Sequence, residues 1–125
     1  MKVATIIVRT LLGLMFVVFG ANIFLQFIPK PPDPQPKLAE DFINALMVSR
    51  YIYVVGALQF VGGLFLLIGR CVPLGLTLLG PVIVNIALFH IFLAPSGLPM
   101  VAVVSAMALF LLWSYRSAFA GLVRP

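Results

Sequence analysis

Polar side chains inside otherwise apolar helical runs are the residues of this sequence that could do chemistry. Hydrocarbon offers no hydrogen-bond partner, so an unsatisfied polar group there costs several kcal/mol and needs a structural or functional reason. Six such residues lie within or at the edge of the long apolar runs: Asn22, Gln26, Arg50, Gln59, Asn85 and His90. From the helical rise, Gln59 lies about 13 Å from Arg50 along the second span. Gln59 and Asn85 are therefore nearer the middle of the membrane, whereas the other four residues are nearer its outer surface. This grading predicts a ligand pocket that opens outward.

A second interpretation of the same residues is structural, because buried polar side chains also form hydrogen bonds that hold helices together. Asn22 and Gln26 share a helix face at a spacing of four residues. Asn85 and His90 are five residues apart and diverge by about 140° around a helix. Whether Gln59, Asn85 and His90 line one cavity is therefore open.

The sequence predicts no catalytic residue and no metal ligand set. His90 is the single histidine and Cys71 the single cysteine, so we expect neither a disulfide within the chain nor a metal or haem site built by it alone. No Ser/His/Asp set or phosphate-binding loop is present, and the three acids all fall within residues 33–41. A histidine that binds backbone or lipid headgroups is the expected role of His90.

The composition indicates an integral membrane protein. Hydrophobic residues make up 63% and charged residues 9% of the 125 residues, and the mean hydropathy is +1.22, far from soluble averages. The net charge of +5 comes from Lys and Arg residues that are scattered singly, which argues against nucleic acid as a partner. The lipid bilayer is the expected partner, and the chain is expected to be one transmembrane domain.

Four apolar runs are each long enough to cross a hydrocarbon core of about 30 Å, or nearly so. They predict an all-α, four-helix transmembrane bundle with spans at about 3–27, 50–68, 72–93 and 100–120. Residues 28–49 contain a proline-rich loop, followed by a short amphipathic helix that is too short to span and is expected at the interface. With both termini on one side, five cations fall on that side and three on the other, which predicts cytoplasmic termini.

Glycines at seven-residue spacing predict close helix packing, because small residues let membrane helices approach. Gly13 and Gly20 have this spacing in the first span, and Gly56 and Gly63 have it in the second. Arg9 lies on the same helix face as Gly13, so its side chain either faces the bundle or extends to the nearby membrane surface. We favour the second arrangement.

The chain resembles the DoxX family of small four-helix bacterial membrane proteins, over about residues 9–93. The motifs that carry the resemblance are Arg9-Thr10-Leu11-Leu12-Gly13, Gly20, the proline-bearing loop, Gly56 to Gly63 with Gly69-Arg70, and His90. Family members often have a glutamate where this chain has Gln59. The resemblance implies a component of a bacterial inner membrane, in some members tied to quinone-linked sulfur oxidation or to a redox-protective complex. Quinone is therefore a cofactor that the resemblance implies.

Three functions remain open from the sequence. The first is a non-catalytic subunit or scaffold of a membrane complex. In this role the chain would bind membrane or redox proteins, or would form a homo-oligomer. The second is a binder of a quinone or lipid-like ligand in the outward pocket, serving an oxidoreductase. The third is a small-solute transporter, which is disfavoured because the spans contain no carboxylate.

Overall fold

Every regular element of the described chain is a helix, which confirms the all-α class. The computed structural model describes residues 2–26 and 36–123, except for the side chains of residues 2 and 123. Its helices are α1 (Lys2–Leu25), α2 (Lys37–Val48), α3 (Tyr51–Ile68), α4 (Val72–Phe92), α5 (Leu98–Ser114) and α6 (Arg116–Val123), with a 3₁₀ turn at Pro95–Gly97. Apart from Pro36, the predicted proline-rich loop lies outside the described residues.

Four of the helical segments are long and apolar enough to cross a membrane, as expected for a four-helix bundle. They are Val3–Leu25, Tyr51–Ile68, Val72–Phe92 and Pro95–Ser114. The fourth segment differs in its bounds from the predicted 100–120. It begins earlier because prolines are tolerated in the first turn of a helix. It ends at Ser114, where Tyr115 leaves helical geometry at φ −104° and ψ 22° before α6 begins.

Helix α2 packs across one end of the bundle, which we call the α2 end. Its Ala39 is fully buried, and the Phe42 ring lies 5.5 Å from the Phe89 ring of α4. Ser49 and Arg50 join α2 to α3, and Arg50 has a left-handed backbone at φ 65°. The amphipathic helix is therefore held against α3 and α4 by specific side chains.

The spans are antiparallel neighbours in the order α1, α3, α4, α5, with α5 also contacting α1. The fully buried side chains at the centre are Leu12, Leu66, Leu79 and Leu111, one from each span. At the bundle end opposite α2, which we call the terminal end, Thr5 of α1 donates a hydrogen bond to Ser114 of α5 at 3.2 Å. The three-residue turn between α3 and α4 lies at the same end.

Candidate functional site

The four glycines at seven-residue spacing lie where α1 and α3 touch. A Cβ atom on Gly13 would lie 2.8 Å from the Gly63 carbonyl oxygen, and one on Gly20 would lie 2.9 Å from the Gly56 carbonyl oxygen. Such distances are shorter than real Cβ atoms tolerate, so the two backbones are in direct contact. We call this contact the α1–α3 seam.

A second glycine contact, which the sequence reasoning missed, joins α3 to α4. A Cβ on Gly75 would lie 2.9 Å from the Gly62 carbonyl oxygen, and one on Gly62 would lie 2.8 Å from the Leu79 side chain. Adjacent residues of a helix point about 100° apart. Gly62 therefore faces α4 while Gly63 faces α1. The adjacent Gly-Gly pair was the feature of the sequence that could have predicted this second contact.

Gln59 lies beside both glycine contacts, one turn before Gly62 and Gly63. It is the buried polar residue of the described core, with 6% of its surface exposed. Its position, three residues before Gly62 and four before Gly63, places it on the same side of α3 as both glycines. Gln59 is thus buried within the bundle.

Asn85 lies on a different surface. Its side chain is exposed, and Nδ2 donates a hydrogen bond of 3.0 Å to the Pro81 carbonyl oxygen of its own helix. Because Pro81 is itself exposed, the two residues are on the outer face of α4. The structure therefore does not bring Asn85 together with Gln59.

Three further predicted residues lie at the ends of helices on the α2 side of the bundle. Gln26 and Arg50 are exposed and each has a left-handed backbone, at φ 51° and φ 65°. Asn22 is half-buried, and its carbonyl oxygen accepts the Gln26 backbone N–H at 2.7 Å. Each of these residues lies towards the α2 end of the bundle, and their nearness to the membrane surface stays a prediction from helical depth.

His90 is fixed by its own helix and by the following turn. Its Nδ1 lies 2.8 Å from the Ile86 carbonyl oxygen, and because a carbonyl only accepts, Nδ1 carries the proton. The ring contacts Phe89 edge-on and fills the space that a Cβ on Gly97 would need. The described residues contain no group of three metal-ligating side chains.

An apolar groove between α4 and α5 is the open concave surface that the sequence did not reveal. Its volume is about 370 Å³. It forms around Gly80, whose Cβ position has no atom within 4 Å, and opposite the small residues Ser105 and Ala108. A smaller cavity of about 40 Å³ between α1, α4 and α5 shares Ile83 and Ser105 with it.

Cationic side chains occupy the terminal end. The Arg9 guanidinium is half-buried against Gly69, the residue that ends α3 in a left-handed conformation at φ 84°. A cation at a helix C-terminus interacts favourably with the helix dipole. Arg116 donates to the Trp113 carbonyl oxygen at 2.9 Å and lies 4.5 Å from the Trp113 ring.

Four apolar spans, glycine contacts between them and polar groups at both ends define a multi-pass helical membrane protein. The DoxX family model matches residues 4–91, which is more than half of the chain. The chain therefore belongs to the DoxX family, and the resemblance predicted from its motifs is confirmed. No curated protein and no solved structure matches it.

Proposed function

We propose that this DoxX protein is a non-catalytic subunit or scaffold of a redox-linked membrane complex. One observation carries the proposal: the polar side chains that would have to act together lie on separate surfaces. Gln59 is enclosed within the bundle, Asn85 is on the outer face of α4, and His90 is at the α2 end. A catalytic site needs such groups around one substrate.

We place the protein in a bacterial inner membrane with both termini in the cytoplasm. Support comes from the cations of the sequence, of which the predicted topology assigns five to the terminal side and three to the other. Arg9 and Arg116 lie at the terminal end of the described bundle, together with the turn that holds Arg70. The helix α2 would then face the periplasm, where a partner could reach it.

The scaffold role predicts that the partner enzyme depends on the protein but not on its polar residues. We expect deletion of the gene to lower the activity of a membrane oxidoreductase by about tenfold or more, since a lost subunit removes the complex. Expression of Gln59→Leu or His90→Gln should restore at least half of that activity. Respiratory activity of isolated membranes, with protein level measured by immunoblot, checks both expectations.

Two outcomes would contradict the scaffold role. One is turnover of a redox substrate by the purified chain alone. The other is a loss of activity above about tenfold in His90→Gln at a normal protein level. Such a loss corresponds to about 1.4 kcal/mol or more of transition-state stabilisation, which at an intact fold indicates a chemical role for His90. His90→Gln is the suitable variant because its amide can still donate to the Ile86 carbonyl oxygen.

The α4–α5 groove favours a second candidate function, the binding of a quinone or lipid-like ligand. Its lining is almost wholly apolar, with Leu76, Val84 and Leu109 among the contributing side chains. Its volume of about 370 Å³ lies within the range of small-molecule sites. An isoprenoid or acyl chain matches this chemistry, whereas a polar solute does not.

Filling the groove should remove such a ligand. We expect Gly80→Leu to lower the amount of co-purified quinone or lipid by at least fivefold, because its side chain would occupy the groove next to Val84. Gly121→Leu is the matched control, since Gly121 also has open space at its Cβ position but lies on α6. Native mass spectrometry of both variants makes the comparison, and equal ligand content would exclude the groove as the binding site.

A further inference from the structure

One face of α4 is exposed along the length of the helix. Its residues recur every three or four positions, the spacing of one helix face. They are Leu74, Thr77, Pro81, Asn85, Leu88 and Phe92, all exposed in the described structure. We call this surface the outer α4 face.

Asn85 makes this face unlike an ordinary lipid-facing surface. It is about 20 Å along the helix from Val72 and about 10 Å from Phe92, so its amide lies within the hydrocarbon region. Its Nδ2 uses one N–H for the Pro81 carbonyl oxygen. Within the described residues, Oδ1 and the second N–H have no hydrogen-bond partner. Lipid tails supply none.

Thr77 on the same face does not need a hydrogen-bond partner outside its own helix. Its hydroxyl donates to the Pro73 carbonyl oxygen at 2.9 Å, within its own helix. The unmet hydrogen-bonding capacity of the outer α4 face is therefore concentrated at Asn85. A partner that covers the face must offer a donor and an acceptor at the same depth.

We propose that the outer α4 face binds the same face of a second copy of this chain. A carboxamide carries both a donor and an acceptor, so two Asn85 side chains related by a two-fold axis can form reciprocal N–H···O bonds. The axis runs along the membrane normal, because copies inserted in one orientation place Asn85 at equal depth.

The dimer goes beyond the proposed function, because it would form whichever enzyme the protein serves. A monomer that still supports a partner oxidoreductase would overturn the dimer and leave the scaffold role standing. Conversely, a dimer without any partner would leave the interface intact and remove the scaffold role. The two proposals can thus fail separately.

Disulfide cross-linking in native membranes tests the interface. Cys71→Ser removes the single cysteine of the chain, after which one cysteine is introduced at Leu74, Asn85 or Leu88. We expect oxidised dimers from these positions. We expect none from the controls Leu14→Cys on α1 and Val103→Cys on α5, which are 48% and 58% exposed. Equal cross-linking at the controls, or cross-links only to another protein, would overturn the proposal.

Association measured by subunit counting in lipid vesicles gives the second readout. Membrane-embedded polar contacts of this kind correspond to about threefold to tenfold in an association constant, so Asn85→Leu should weaken the dimer by that factor. Asn85→Gln, which keeps the carboxamide, should retain more of it. A monomeric wild-type chain at every protein-to-lipid ratio would disprove the dimer, and the cross-linking variants at Leu74 and Leu88 keep the test valid if Asn85→Leu folds poorly.

Discussion

Replacement of Gly63 by alanine is expected to destabilise the protein by up to about 2 kcal/mol. The added Cβ would lie 2.8 Å from the Val17 backbone nitrogen and 2.9 Å from the Gly13 carbonyl oxygen. Both atoms are backbone, so α1 must move away as a whole. Overpacking of this kind costs about 1–3 kcal/mol, and the gain of about 1 kcal/mol in helix propensity offsets only part of it.

Gly80→Ala is the matched control for this substitution. Gly80 is also a mid-helix glycine of a span, but nothing lies within 4 Å of its Cβ position. We therefore expect Gly80→Ala to leave stability unchanged or to raise it by up to about 1 kcal/mol. Equilibrium unfolding in mixed micelles compares the two variants. If they unfold at the same denaturant concentration, the α1–α3 seam is looser than described.

Gly69→Ala is expected to cost about 2 kcal/mol through two separate causes. The residue has φ 84°, a conformation that costs a side-chain-bearing residue about 1 kcal/mol or more. In addition, the new methyl group would overlap the Arg9 guanidinium, whose Cζ lies 2.8 Å from the Cβ position. The guanidinium would have to leave the C-terminus of α3, where its charge is favourable.

A double-mutant cycle separates the two causes. Arg9→Met removes the guanidinium, so Gly69→Ala in that background should cost only the backbone strain, about 1 kcal/mol. Gly121→Ala, on α6 with no atom near its Cβ position, is the control for a general effect of alanine. Strictly additive losses of Arg9→Met and Gly69→Ala would show that the Arg9 contact is energetically unimportant.

The architecture could be predicted because it depends on the length and hydrophobicity of segments. Runs of about 20 apolar residues must form helices in a membrane, and tight turns make neighbours antiparallel. The end of the fourth span was less predictable. Residues 116–120 remain helical, so composition alone does not reveal that Tyr115 interrupts the helix.

The arrangement of the polar residues was only partly predictable, because helical rise gives depth but not the direction in which a side chain points. Gln59 and Asn85 are at similar depths, yet Gln59 is buried within the bundle and Asn85 is exposed on the outer face of α4. The groove around Gly80 could not be predicted either. It depends on which face of α4 meets α5, and that follows from tertiary packing.

The glycine contacts divide the bundle into parts that should differ in mobility. Helices α1, α3 and α4 touch through their backbones at Gly13, Gly63 and Gly75, so sliding one past another would break contact along the entire helix. Helix α5 has no glycine between Leu98 and Ser114 and packs through side chains such as Val104 and Leu111. Side chains can change rotamer while backbones cannot, so we expect the width of the α4–α5 groove to vary while the other three spans keep their positions.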